Sequence, residues 1–150
     1  MSDSDLTRPP AEGKWSPAEV LEHFALTYKG TAKNLERSLI AGRPLGGEPT
    51  LKQRLTNILV LDLGYFPSGR KSPEAAKPKG MAGEQITSEI NGALVNMTDV
   101  IGKCENKFGD HAHAADHPIL GPITMQQWQK FHWVHGRHHI KQILRMRKLC

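Results

Sequence analysis

The side chains best suited to chemistry are histidines: eight occur in 150 residues, and seven of them fall between His111 and His139. In the run HWVHGRHHIKQ, His135 and His139 are four apart. On a helix their rings therefore sit one above the other, with about 6 Å of rise between them, and can converge on one metal ion. The same geometry lets an HExxH helix hold zinc. Two ligands do not close a site, and His23 is the natural third. It is the one histidine outside the C-terminal third, at the edge of an apolar stripe between Val20 and Phe24. Three neutral imidazoles with an open fourth position form a centre of the catalytic kind, able to activate water or polarise a substrate oxygen.

Other histidines compete for these roles. His132 shares the inner face with His135 and His139, and as a fourth protein ligand it would make the centre structural. His138 should project about 100° away from His139, towards solvent or behind the ligands. Gln142, one turn beyond His139, is placed to orient a ligand ring. His111, His113 and His117 in HAHAADH offer a second, surface grouping, and His117-Pro118 reads as a loop anchor near the mouth of the site. Against all of these stands the plainer reading, in which the histidines only fill core and surface positions.

Helical elements must position these groups. Ser16-Pro17-Ala18-Glu19 has a capping serine, proline at the first helical position and glutamate three residues after the cap. Apolar residues follow at Leu21, Phe24, Tyr28, Leu35 and Leu39 until Gly42-Arg43-Pro44, which predicts a helix over residues 17–41. Thr50 with Gln53 starts a second helix, with Leu51, Leu55, Ile58, Leu59 and Leu63 as its apolar stripe. Residues 65–83 have no period, three prolines and four basic residues, and read as a long loop. Ile86, Ile90, Leu94, Met97, Ile101 and Cys104 mark a third helix, and Thr124 with Gln127 caps a fourth that runs towards Cys150 and ends on Arg145, Arg147 and Lys148. Four helices without a convincing alternating strand indicate an all-α four-helix bundle, with residues 1–15 as a flexible N-terminal segment and 16–150 as one domain.

Composition narrows the function classes. Twenty Lys+Arg against fifteen Asp+Glu give a net charge of +5, small beside dedicated nucleic-acid binders, and the basic residues are not interleaved with aromatics on one face. Nucleic acid is not an expected partner. No apolar run is long enough for a membrane span, and the start is acidic and then Pro-rich rather than signal-like, so a cytoplasmic protein is expected. The two cysteines, Cys104 and Cys150, suggest neither a disulfide framework nor a cysteine zinc site.

The stretch WSPAEVLEHFALT, followed by HPILGPITMQQWQKFHWVHGRHHIKQI, resembles the DinB-like (YfiT-like) metalloenzyme superfamily, and within it a DinB-related bacterial branch with no settled reaction. The resemblance runs from about Trp15 to Ile143 and includes the FPSGR-SP segment at Phe66–Pro73. It implies a four-helix bundle with a divalent metal, commonly nickel or zinc, near one end. The ligands it implies are His23, His135 and His139. It also implies frequent homodimers and, among characterised relatives, reactions that use low-molecular-weight thiols. In relatives a whole helix precedes the tryptophan-led one, whereas only fourteen residues do here. The second helix, or a partner chain, must then fill that bundle position.

Two functional expectations follow. The first is a metal-dependent enzyme in which His23, His135 and His139 hold an ion that activates water or a thiol, as a hydrolase or a thiol-dependent transferase acting on a small molecule. The second is a non-enzymatic bundle that binds an acidic partner through its basic loop (Arg70-Lys71 to Lys77 and Lys79), with the histidines structural.

Overall fold

A computed structural model describes residues 3–66, 72–81 and 83–147. Arg70, Lys71, Lys148, Cys150 and most of the FPSGR motif lie outside the described residues. Three long helices form the frame: α2 (Pro17–Ala41), α4 (Gly83–Phe108) and α5 (Met125–Arg147). Before them comes α1 (Asp3–Thr7), a short helix in the segment expected to be flexible, which touches α2 and α4. Between α2 and α4 lie α3 (Leu51–Asn57), a π-helical turn over Ile58–Asp62 and a 3₁₀ turn over Glu74–Ala76.

Three capping boxes start three of these helices. In each, the hydroxyl of Ser16, Thr50 or Thr124 accepts from the backbone N–H three residues on, and the Glu19, Gln53 or Gln127 side chain accepts from the cap's own N–H. Helix α2 ends on Gly42, whose φ of 71° suits a residue without Cβ.

The apolar stripes of α2, α4 and α5 meet in one core around Val20, Phe24, Leu35, Met97, Ile101 and Trp128. Helix α4 runs beside α2, and α5 packs on both. The two-residue strands β1 (Asp116–His117) and β2 (Gly121–Pro122) pair antiparallel ahead of α5. Two bonds from the chain after α2 steady the approach to this hairpin, Leu45 N–H to the Ala114 carbonyl and Gly46 N–H to the His113 carbonyl, both at 3.0 Å. A Cβ on Gly46 would lie 2.4 Å from that second oxygen, so only glycine allows this approach. No described helix is long and apolar enough to cross a membrane.

One expectation is corrected. The stripe assigned to the second helix faces outward: Leu51, Leu55, Ile58, Leu59 and Leu63 are 47–75% exposed. Val60 and Leu61 turn inward instead, where the π segment meets α5. The cause is a change of register: Leu63 N–H bonds to the Ile58 carbonyl, five residues back, so the chain no longer follows the 3.6-residue period after Asn57. Of this segment, the π turn is the part that packs on α5.

This register predicts an inverted pair of substitution effects. Leu61→Ala should cost about 2–5 kcal/mol in urea denaturation, as a buried leucine does, while Leu63→Ala should stay within about 0.5 kcal/mol. The reverse order would mean that the helix keeps its α period.

Candidate metal centre

Helices α2 and α5 bring the three sequence-predicted histidines together. The Nε2 atom of His135 lies 3.1 Å from Nε2 of His23 and 3.1 Å from Nε2 of His139. Among the described residues this is the only group of three or more His, Cys, Asp or Glu side chains arranged to hold a metal ion. His23 and His135 are buried and His139 is half-buried, so the cluster opens on one side.

Counting protons decides what these contacts are. Nδ1 of His23 lies 2.7 Å from the Ala76 carbonyl oxygen, which can only accept, so Nδ1 carries the ring proton and Nε2 holds a lone pair. His139 repeats this, with Nδ1 donating to Gln142 Oε1 at 2.8 Å. His135 has one proton to place. On Nε2 it can serve only one of two neighbours, and on Nδ1 it serves neither, because Nδ1 is buried with no hydrogen-bond partner. At most one of the two 3.1 Å contacts is therefore a hydrogen bond, and the rest are lone pairs facing lone pairs. A divalent cation resolves this, since it accepts all three nitrogens at once. Imidazoles bound tetrahedrally at 2.0–2.1 Å place their nitrogens ~3.3 Å apart, close to the two 3.1 Å separations from His135, and all three ligand atoms lie within 4.8 Å of one another.

Additional protons would not relieve the conflict. Burial, and then the neighbouring rings, push His135 down to about 2 and His139 down to about 4, and burial lowers His23 as well. The surroundings are aromatic. Phe131 stacks on His135 with ring centroids 5.1 Å apart, Phe24 stands edge-on to His135 and His139, and Trp15 leans on His23.

The loop that supplies the Ala76 carbonyl is held by Glu22, a buried carboxylate unremarked in the sequence. Its oxygens accept from the backbone N–H groups of Lys79, Gly80 and Met81, each at 2.9 Å. Burial alone would raise its pKa, but the three N–H donors outweigh it and hold the carboxyl below the ordinary value. Glu22 thus fixes residues 79–81, and with them the approach of Ala76 to His23. The sequence signal was an acid set beside the apolar stripe, between Leu21 and His23.

The other histidines separate from the cluster. His132 faces Thr31, with Nε2 3.1 Å from the hydroxyl, and joins no ligand group. His117 anchors its hairpin: Nδ1 accepts from the Ile119 and Leu120 N–H groups at 3.1 and 3.0 Å. His138 is exposed beside Phe66, and His111 is exposed near Asp110. His113 lies near Glu48, so HAHAADH forms no metal cluster among the described residues. Cys104 is buried against the Leu35 carbonyl, and burial pushes its thiol up to about 11, which suits packing rather than reactivity. The cluster borders a cavity of about 670 Å³, within the range that receives small molecules.

The buried rings make metal-free folding sensitive to acid. Burial holds His117 down at about 4 and His132 at about 3, and it also lowers the three cluster histidines. Unfolding returns each to an ordinary value of about 6.5, so below that pH the unfolded chain binds more protons and stability falls as pH falls. Chemical denaturation of chelator-treated protein should lose roughly 1.4 kcal/mol per pH unit for each histidine fully titrated. A flat profile between pH 7.5 and 5 would mean that the rings are not buried neutral.

A Bacillus subtilis (strain 168) protein, described as "Uncharacterized protein YuaE", is 22% identical over 153 residues, an alignment covering 95% of this chain and 83% of the relative. No solved structure matches the chain. The family model of the DinB superfamily matches residues 1–143, nearly the whole length, and the chain belongs to that superfamily.

Proposed function

We propose that this protein is a divalent-metal-dependent enzyme whose ion, zinc or nickel, is held by His23, His135 and His139, and which acts on a small molecule as a hydrolase or a thiol-dependent transferase. The observation that carries the reading is the convergence of three Nε2 atoms with protons for at most one hydrogen bond among them. When bound there, a divalent ion supplies Lewis acidity and lowers the pKa of an oxygen or sulfur nucleophile. The remaining work falls to the chain. The Ala76 carbonyl and Gln142 Oε1 hold two rings with Nε2 turned inward, and Phe24 and Phe131 keep water from the buried side. Half-buried His139 faces the cavity, where substrate enters. Cys104 is buried against the Leu35 carbonyl and joins no ligand group, so the proposal assigns the sulfur nucleophile of the thiol reaction to the small molecule rather than to Cys104. The proposal includes a cytoplasmic homodimer, supported by the outward apolar side chains of Leu51, Leu55 and Leu63.

Metal analysis of untagged protein purified without chelator should find about one ion per chain, absent from His23→Ala, His135→Ala and His139→Ala. Gln142→Ala should keep the site but weaken metal affinity by roughly 10- to 100-fold, as loss of a ring-orienting partner does. Protein without metal that also fails to take up added zinc or nickel would end the enzyme reading. Separately, sedimentation should give a dimer mass at micromolar concentration, and Leu55→Asp with Leu63→Asp should shift it to monomer. A monomeric wild type would remove the homodimer.

A further inference from the structure

One face of α2 forms the floor of the cavity beside the histidines. His23, Thr27, Gly30, Asn34 and Arg37 all border it, spaced four, three, four and three residues apart, which places them on one side of the helix. From His23 to Arg37 the floor covers roughly 21 Å at 1.5 Å per residue. Apolar side chains, among them Leu26, Val60, Ile119 and Phe131, line its walls.

The uncharged polar groups of this floor are already engaged. Thr27 Oγ1 donates to the His23 carbonyl, Thr31 Oγ1 meets His132, and Asn34 Nδ2 donates to the Asp116 carbonyl at 2.9 Å. The Asp116 carboxylate, at the same end, accepts from the Gly47 N–H. Lys33 and Arg37 are different. Both border the cavity at the end away from the histidines, and neither forms an ion pair with another described residue.

Gly30 leaves this part of the floor open. A mid-helix glycine costs about 1 kcal/mol relative to alanine, and here no neighbour requires it: a Cβ at Gly30 meets nothing within 4 Å, and its φ is not left-handed. The space above it belongs to the cavity and to no packed side chain.

We propose that the groove binds an elongated, largely apolar molecule with an anionic group at one end, the anion received by Lys33 and Arg37 and the opposite end laid beside the three histidines. This rests on the metal-enzyme reading only in taking the histidine end as the reacting one. The binding preference itself needs no metal.

The test is titration calorimetry of chelator-treated protein with three probes of equal chain length: decanoate, decanol and decyltrimethylammonium. Decanoate should bind most tightly and the cation least. Lys33→Gln combined with Arg37→Gln should weaken decanoate by roughly three- to tenfold, the size expected for two exposed cations, and leave decanol unchanged. Gly30→Leu, a good helix former at an open position, should abolish binding of all three while circular dichroism shows the fold intact. Decanoate no tighter than decanol, a double variant that binds decanoate like wild type, or Gly30→Leu without effect would each overturn the proposal, as would no binding of any probe. Because the protein is stripped, the preference would stand even if metal analysis found no ion, and its failure would leave the metal centre untouched.

Discussion

Three imidazole nitrogens that face one another with too few protons between them constrain the rest of this molecule. A buried polar atom without a partner costs about 1–3 kcal/mol, and here the conflict lies between two helices far apart in the chain. The cluster cannot relax by turning its rings. His23 is held by the Ala76 carbonyl and His139 by Gln142, while Phe131 lies flat against His135. Each restraint keeps an Nε2 atom turned inward at the expense of the metal-free fold. Such an arrangement is coherent when an electrophile sits at the point of convergence, and membership of the DinB superfamily places the cluster in a consistent family setting.

The restraint on His23 depends on its neighbour in sequence. Glu22 and His23 are adjacent on α2, so their side chains leave the helix about 100° apart, and they grip one loop at two places. His23 meets it at Ala76, and Glu22 meets it at residues 79–81. A carboxylate accepting three backbone N–H groups satisfies donors that would otherwise be stranded beside the helix, and charge assistance makes those bonds stronger than neutral ones. The loop therefore gains its position from α2 and returns it as the orientation of a ligand ring. Neither half of that exchange is local in the chain.

What could be read from the sequence was what is local. The capping boxes at Ser16, Thr50 and Thr124 are signals spanning four residues, and each starts its helix in the structure. His135 and His139 share one helix, so their spacing alone brings them together, and His23 followed because it stood alone on another apolar stripe. The stripe of the second helix misled because its leucines obey the α period while the chain adopts a π turn. Burial of Val60 and Leu61 against α5 sets that register, and α5 lies about seventy residues further on. Glu22 was hidden for a related reason. A glutamate on a helix is ordinarily a solvated charge, and only the return of the Lys79–Met81 backbone turns it into a buried acceptor.

Helix α2 shows how one segment serves both packing and chemistry. Val20, Phe24, Tyr28 and Leu35 turn one side into the core, while His23, Thr27, Gly30, Asn34 and Arg37 line the groove. The two stripes lie side by side, so a residue such as Phe24 can pack in the core and still press its edge on the histidines. On the α2 side of the groove, the hydroxyls and amide are satisfied within the protein, which leaves His23 of the cluster at one end and the cations at the other as the two polar regions that α2 offers a ligand. A helix of 25 residues is long enough to keep these regions apart. Its rigidity then fixes their separation, so the length and polarity of an acceptable ligand follow from the α2 backbone rather than from mobile side chains.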